Sequence, residues 1–129
     1  YLYKASGFQG VAGVRDLRLV LQRASKKDHH AQLALDMFVH QAHAWIASHA
    51  VQMGGVDAVV LTATAAERNP QVRALLMQKL ELLGIQFDEQ KNEDCINCEG
   101  IISTDDSKVK IAVIKTDESG EMVRVVESF

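Results

Sequence analysis

The sequence predicts one α/β domain, residues 1–129, with a mixed sheet and flanking helices, and three observations support this fold class. A continuous apolar run, Ala58–Leu61, is typical of a strand covered on both faces in a parallel or mixed sheet. Segments with apolar residues at helical spacing lie on both sides of it. Two later apolar segments, 101–104 and 109–114, flank Asp105-Asp106-Ser107, which favours a turn, so a hairpin is predicted there.

Length and composition narrow the class of protein further. The 129 residues are 47% hydrophobic and 24% charged, which are ordinary values for a globular chain. A net charge of −3 provides no basic surface for nucleic acid, so we expect no nucleic-acid partner. No apolar run approaches the roughly 20 residues that span a bilayer, and no signal segment opens the chain. We therefore expect a cytoplasmic protein without a membrane partner.

The first residues are expected to form a glycine-rich loop, followed by a short helix. Residues 1–14 are small and apolar, and we interpret them as a loop or irregular strand in which backbone passes close to another group; the glycines are Gly7, Gly10 and Gly13. Asp16 favours the start of an amphipathic helix that runs to about Ser25.

A long helix is predicted next, with Asp28 as its N-cap, an end near Met53 and Gly54 as its terminator. Its apolar residues cover more than one stripe. Two interpretations fit: a central core helix, which we prefer, or a helix buried between the sheet and a partner subunit or further domain. The apolar residues concerned are Leu33, Leu35, Met37, Phe38, Val39, Trp45, Ile46 and Val51.

The second half is predicted to alternate strands and helices. A helix should begin at Pro70 and run to Leu83, with Gly84 ending it. Residues 85–87 resemble a short edge strand, and residues 88–100 a polar connection.

The end of the chain is ambiguous. Val123, Val125 and Val126 favour a strand after a turn at Ser119-Gly120, and a terminal helix is the weaker alternative.

The segment 59–73, VVLTATAAERNPQVR, has the strand, tight turn and helix start with which many folds present a phosphate to backbone N–H groups. It resembles the acetate kinase family, whose loop runs Thr-Gly-Gly-Ile-Gly-Glu-Asn-Ser-Pro-Glu-Val-Arg along the nucleotide phosphates. The residues that keep the pattern are Thr62, Glu67, Pro70, Val72 and Arg73. Those that replace the three glycines and the asparagine are Ala63, Thr64, Ala66 and Arg68. The strings LALDMF, MGGVDAVVLT, LLGIQFDEQKN and IISTDDSKVKIAVI also match the family in order and spacing.

This resemblance implies an actin-like or ribonuclease H-like ATPase-type fragment, from the C-terminal part of a kinase. The family transfers a phosphoryl group between ATP and a short carboxylate, with Mg²⁺, to form an acyl phosphate. Its catalytic histidine, its substrate-binding arginines and a metal-binding asparagine have no counterpart here, so we predict no catalytic residue and no turnover by this chain alone. The resemblance also implies a homodimer built through this region.

The resemblance implies three groups of site residues. Nucleotide-binding residues toward adenosine are Asp16, Leu17 and Arg18, those toward the phosphates are Thr64, Ala65, Ala66, Glu67 and Arg68, and the metal ligand is Glu118. Each group has an ordinary structural alternative: a capped surface helix, a strand-to-helix turn with Asn69 as N-cap, and a solvated turn beside Lys115. For the turn and for Glu118, we prefer the structural alternative.

The replaced glycines argue against tight ATP binding. An L-residue forced to positive φ costs on the order of 1–2 kcal/mol, and two or three such replacements would weaken binding. Thr64 adds a hydroxyl and Arg68 a cation, so phosphate binding in a changed geometry is conceivable. The alternative function is a non-catalytic remnant or interaction module that self-associates through the long helix.

Cys95 and Cys98 form a single Cys-x-x-Cys within the polar connection. A zinc site would need further ligands, for which His40 and His43 share one helix face, and a redox pair is a second alternative. We prefer reduced thiols without a function, because acidic residues surround the pair.

Overall fold

The computed structural model describes residues 4–128, and the chain divides into two compact units, Tyr1–Gly54 and Gly55–Phe129. Each unit has its own secondary structure. The single domain that the sequence predicts stays a prediction.

The first unit is helical. Its elements are α1 (Gly7–Ala12), α2 (Leu17–Ser25) and α3 (His29–Gln52). The predicted loop at residues 1–14 is therefore wrong for the described part of that range. Gly13, at φ 72°, ends α1 by donating its N–H to the Gln9 carbonyl at 3.1 Å. A Cβ at Gly10 would lie 2.7 Å from the Ala5 carbonyl oxygen, so this glycine allows the close backbone approach that the sequence indicated.

Side-chain caps begin α2 and α3 as predicted. Asp16 Oδ1 accepts the Arg18 N–H at 2.9 Å. Asp28 Oδ1 accepts the N–H groups of His30 and Ala31 at 3.0 and 3.1 Å. Each cap satisfies donors that a helix start leaves without a partner, which fixes where the helix begins.

Helix α3 buries one stripe of small residues. The core of the unit consists of Ala12, Val20, Ala31, Ala34 and Leu35, with Phe8, Val11, Val14, Leu17, Leu21 and Ala24 packed against it. Trp45 and Val51, in contrast, are 61% and 79% exposed. The preferred expectation of a central core helix is wrong for this chain, because α1 and α2 cover only the alanine-rich side of α3.

The second unit contains a mixed sheet, as predicted. Its strands are β1 (Ala58–Leu61), β2 (Gly100–Ile101) and β3 (Lys110–Val113), in the order β1-β3-β2. Strand β1 runs parallel to β3, with Leu61 opposite Val113, and β2 runs antiparallel to β3, with Gly100 opposite Val113. The predicted hairpin is confirmed.

The expectation that β1 is covered on both faces is wrong. Leu61 is buried, but Val60 is 53% exposed. The reason is that alternate side chains of a strand point to opposite faces of the sheet, and the face that carries Ala58 and Val60 is exposed within the described residues.

Four helices flank the sheet. They are α4 (Ala63–Glu67), α5 (Pro70–Met77), α6 (Glu89–Asp94) and α7 (Glu118–Glu127), and a 3-10 turn spans Glu81–Leu83. Asn69 caps α5 as expected, since its Oδ1 accepts the Val72 N–H at 3.2 Å. The predicted helix to Leu83 is too long, because Gln78 takes an extended conformation and Lys79 has φ 61°. Gly84, at φ 83°, instead ends the 3-10 turn.

Two further predictions for this unit need correction. The polar connection 88–100 contains α6, which begins where Asp88 Oδ1 accepts the Lys91 N–H at 2.9 Å. Residues 85–87 form two isolated bridges, Ile85 to Val109 and Phe87 to Ser103, and not a continuous strand.

The C-terminal strand preference is also wrong, since 118–127 is helical. Asp117 Oδ1 accepts the Gly120 N–H at 2.9 Å, and Glu121 pairs with Arg124 at 3.0 Å one turn apart. The cap supplies a helix start that outweighs the strand propensity of the valines. Separately, within residues 4–128, none of the helices combines the length and apolar character that crossing a bilayer requires.

Removal of the Asp28 cap tests the account of the first unit. Asp28→Ala should lower the free energy of unfolding by about 1 kcal/mol, because two N–H groups of α3 lose their acceptor. Urea unfolding followed by circular dichroism measures it. Asp36→Ala, at an exposed site inside α3, is the control and should change stability by less than about 0.5 kcal/mol. Equal effects of the two variants would contradict the capping role.

Candidate functional site

The chain bends sharply where β1 passes into α4, at the alanine that is the first residue of that helix. Thr62 is extended at φ −141°, and Ala63 follows at φ 68°, in the left-handed region that favours glycine. In the family loop that the sequence resembles, this position is the first glycine. The backbone thus keeps a glycine conformation, and Ala63 bears strain of about 1–2 kcal/mol.

The residues that replace the other two glycines are not in a strained backbone conformation. Thr64 and Ala66 lie inside α4, and neither belongs to the positive-φ residues among those described. Ala66 is buried, so its methyl group faces the interior of the unit. The expectation of two or three strained replacements is therefore wrong, and the strain falls on Ala63.

Solvent reaches the outer side of this bend. Ala63, Thr64, Ala65 and Arg68 are exposed, so the Thr64 hydroxyl and the Arg68 guanidinium are accessible to a ligand. These are the two polar groups that the sequence analysis expected there.

Glu67 faces inward. Its Oε1 accepts the Thr116 N–H and the Thr116 hydroxyl, both at 2.9 Å, and the residue is buried. These bonds, the backbone one first, lower the pKa of the Glu67 carboxyl below its usual value. The side chain ties the end of α4 to the segment between β3 and α7.

Arg73 lies fully buried beneath the bend. Within the described residues its guanidinium donates five hydrogen bonds. Nη1 reaches the carbonyls of Ala66 and Glu67 at 2.6 and 3.2 Å, at the end of α4. Nε reaches Asn92 Oδ1 at 2.7 Å, and Nη2 reaches the carbonyls of Asn92 and Cys95 at 2.6 Å each, at the end of α6.

Carbonyls at helix C-termini carry partial negative charge, and two such ends converge on this one cation. Burial nevertheless lowers the pKa of Arg73 from its usual value. Sequence reasoning noted Arg73 only as part of the loop pattern, and it missed Asn92 as the partner of Arg73 and Thr116 as the partner of Glu67. The available signal was an arginine inside the apolar helix VRALLM.

The residues expected near adenosine lie in the first unit, whereas the loop lies in the second. Arg18 folds back on Asp16, with Nε to Oδ1 at 3.0 Å and Nη2 to Oδ2 at 2.6 Å. The Arg18 hydrogen bonds lower the pKa of Asp16 to about 2. The Arg18 side chain is 84% exposed, and Leu17 between them is half-buried. The arrangement is that of a capped helix with an accessible guanidinium.

Glu118 is the first residue of α7 and is exposed. No three histidine, cysteine or acidic side chains of residues 4–128 are grouped as a metal site. A single carboxylate suits Mg²⁺ when phosphate oxygens and water complete the shell.

Cys95 and Cys98 lie at the end of α6, with their Sγ atoms 2.7 Å apart. Cys95 is buried and Cys98 half-buried. Burial, with the contact to Cys98, raises the pKa of the Cys95 thiol to about 11. His40 and His43 lie on α3 in the first unit and do not complete a zinc set in the described part of the chain.

Comparisons with known proteins agree with this architecture. The family model described as the acetokinase family matches residues 1–124. The acetate kinase of Carboxydothermus hydrogenoformans is 47% identical over 117 residues, covering 91% of this chain and 29% of that protein. The acetate kinase of Corynebacterium jeikeium is 41% identical over 128 residues, covering 95% of this chain and 31% of that protein.

Solved structures of acetate and propionate kinases are also similar to this chain. The crystal structure of Porphyromonas gingivalis acetate kinase matches with a TM-score of 0.83 and 32% identity, covering 94% of this chain and 32% of that one. A propionate kinase from Francisella tularensis matches with a TM-score of 0.78 and 35% identity, covering 88% and 28%. The chain belongs to the acetokinase family and has its mixed α/β architecture. It spans about three tenths of the length of these relatives.

The Arg73 network predicts a large stability effect. Arg73→Met should lower the free energy of unfolding by about 3–5 kcal/mol, because buried carbonyls of α4 and α6 lose their donor. Arg124→Met removes an arginine whose side chain is 74% exposed and should cost less than about 0.5 kcal/mol. Urea unfolding compares the two variants. A loss below about 1 kcal/mol for Arg73→Met would contradict the role of the network.

The hydrogen bonds of Glu67 should make the free energy of unfolding depend on pH. Its folded pKa is lower than its unfolded value near 4.5, so its stabilisation is complete above that pH and is lost as the pH falls through the folded pKa. Glu67→Gln should therefore be less stable than the parent chain at neutral pH, and the difference should shrink in acid. Urea midpoints from neutral pH to pH about 3 measure this. A difference that stays constant with pH would contradict the Glu67–Thr116 assignment.

Proposed function

We propose that this chain is the nucleotide-binding part of an acetate kinase-like phosphotransferase, which moves a phosphoryl group between ATP and a short carboxylate to form an acyl phosphate. The observation that carries the proposal is the bend after β1, where Ala63 holds a glycine conformation at φ 68° above the buried Arg73. An alanine in the left-handed region lowers the stability of the fold. A loop shaped for a ligand accounts for this strain, because strained backbone conformations concentrate at functional sites.

At the phosphates, the exposed face of the bend supplies positive charge and donors. The Arg68 guanidinium neutralises phosphate oxygens, the Thr64 hydroxyl donates a hydrogen bond, and exposed backbone at Ala63 and Ala65 allows the chain to lie alongside. Glu67 positions this face through Thr116 and does not itself approach the anion.

At adenosine, Arg18 is the residue that changes partner. Its ion pair with Asp16 is open to solvent, and such pairs contribute little, so the guanidinium can leave Asp16 for the face of a base. Leu17 would then cover the ring. Asp16 keeps its second bond, to the Arg18 N–H, and continues to cap α2.

Mg²⁺ would enter with the nucleotide and supply charge neutralisation for the transferred group. Glu118, an exposed carboxylate at the start of α7, would hold it, directly or through water. The family resemblance implies that the acceptor pocket is built from residues other than those of this chain. The residues of this chain do not choose between acetate, propionate and butyrate, and we expect no turnover by the 129 residues alone.

The alternative function is a non-catalytic remnant that forms a homodimer through α3. Its support is the set of apolar residues that α3 exposes, among which Trp45 and Val51 are largely open to solvent. The strained Ala63 also agrees with a weakened loop.

Calorimetry with Mg-ATP separates the two functions. Binding heat at millimolar nucleotide supports the nucleotide-binding proposal, and Arg68→Gln should reduce the affinity because it removes the cation from the loop. Leu82→Gln, which replaces an exposed side chain outside the loop, should leave the affinity unchanged. Absence of heat, together with a stable dimer in light scattering, would favour the remnant.

Glycine restored at Ala63 tests the strained bend. Ala63→Gly should raise the free energy of unfolding by about 1 kcal/mol and tighten Mg-ATP binding, because glycine adopts φ 68° without a Cβ conflict. Ala66→Gly is a matched control, since it also restores a family glycine but within α4 at a buried site. It should lower stability by about 1 kcal/mol. The same sign for both variants would overturn the assignment of the strain.

A further inference from the structure

The two cysteines are placed to bond to each other. Their Sγ atoms lie 2.7 Å apart, where the Cys98 thiol donates to Cys95 Sγ. A disulfide has a sulfur separation of about 2.05 Å, so closure needs a movement well below one ångström. Asn97 between them already has φ 54°, which bends the four-residue segment back on itself.

The 2.7 Å separation of the two Sγ atoms also argues against a metal ion held by both thiolates. Two thiolates on one tetrahedral zinc ion, with Zn–S near 2.3 Å, lie about 3.8 Å apart. Within residues 4–128 no further histidine, cysteine or carboxylate completes a set of three with this pair. The geometry points to redox chemistry.

The two thiols differ in access. Cys98 is half-buried between the exposed residues Asn97 and Glu99, whereas Cys95 is 5% exposed. Burial also holds the Cys95 pKa at about 11, so Cys95 is mostly a thiol at neutral pH. Cys98 is therefore the sulfur that a dissolved reagent meets first.

The pair contacts the base of the candidate loop directly. The Cys95 carbonyl accepts Arg73 Nη2 at 2.6 Å, and the same guanidinium holds the end of α4. The Asn97 N–H donates to the Glu67 carbonyl at 3.1 Å. A change in the 95–98 segment is thus transmitted to α4 through two hydrogen-bonded links.

We propose that Cys95 and Cys98 are a redox modification site, a dithiol that low-molecular-weight disulfides of the glutathione class convert to an intrachain disulfide, and that this disulfide stiffens the base of the loop at 62–68. This replaces the sequence-based preference for thiols without a function. The proposal does not rest on nucleotide binding, because it concerns the stability of α4 in the free protein.

The chemistry balances with the external disulfide as oxidant. The Cys98 thiolate attacks one sulfur of the reagent, forming a mixed disulfide and releasing one small thiolate. Cys95 then loses its proton to solvent and attacks Cys98 Sγ, which breaks the mixed disulfide and releases the second small thiolate. The protein loses two electrons and two protons, and the reagent becomes two thiols.

Intact-mass analysis after alkylation of free thiols tests the modification on the 129-residue chain. Oxidised glutathione should remove both alkylatable thiols and leave no glutathione attached. Cys95→Ser should retain a stable glutathione adduct at Cys98. Cys98→Ser should stay unmodified while folded and react in urea, which controls for the burial of Cys95. A lasting adduct on the parent chain, or reaction of the parent chain only in urea, would overturn the proposal.

Amide hydrogen exchange without nucleotide tests the coupling. The amides of Asn97 and Arg68, which donate to Glu67 and Thr64, should exchange at least about threefold more slowly in the oxidised chain. Cys95→Ser, which cannot close the disulfide, should show no such slowing after the same treatment. Unchanged rates at both amides in the oxidised parent chain would refute the stiffening even if the disulfide forms. Because no ATP is present, this result is independent of the proposed function.

Discussion

The buried guanidinium of Arg73 is the interaction on which the second unit depends. A charge without solvent is costly unless its donors are satisfied, and each bond of Arg73 ends on an uncharged oxygen. The C-terminal ends of α4 and α6 supply the carbonyl acceptors. The partial negative charge of these two helix ends offsets the positive charge of Arg73, as a carboxylate would otherwise do. Helices of five and six residues have little stability of their own, and their shared cation fixes them in place.

Glu67 extends this arrangement toward the C-terminal segment. Its carbonyl belongs to the Arg73 network, while its carboxylate holds Thr116 beyond β3. One residue therefore links the loop base to the chain that leads into α7, where Glu118 lies. Because both of its hydrogen bonds go to Thr116, the Glu67 carboxylate has a structural role within the described residues.

Local signals made parts of this structure predictable from the sequence. Asp16, Asp28 and Asn69 marked helix starts, and the strand before the bend followed from its apolar run. Helix α6 was missed and α7 was only the weaker alternative, because polar residues in α6 and β-branched residues in α7 outweighed the caps at Asp88 and Asp117 in the prediction. The burial of Arg73 and the inward direction of Glu67 depend on partners many residues away. The first had one local signal, an arginine inside the apolar helix VRALLM, and the second had none.

The loop thus has two parts: a rigid base, where Glu67 and Arg73 lie, and an altered tip, where the glycines of the family loop are replaced. A strained backbone conformation persists only where the surrounding structure holds it. At Ala63 the base does this through the hydrogen bonds of Arg73 and Glu67. The family pattern survives at these two base residues and is replaced at the tip. Fold stability alone explains Arg73, but it does not explain a strained tip whose relief needs only the removal of a methyl group. That combination is the reason for proposing that the loop binds a ligand.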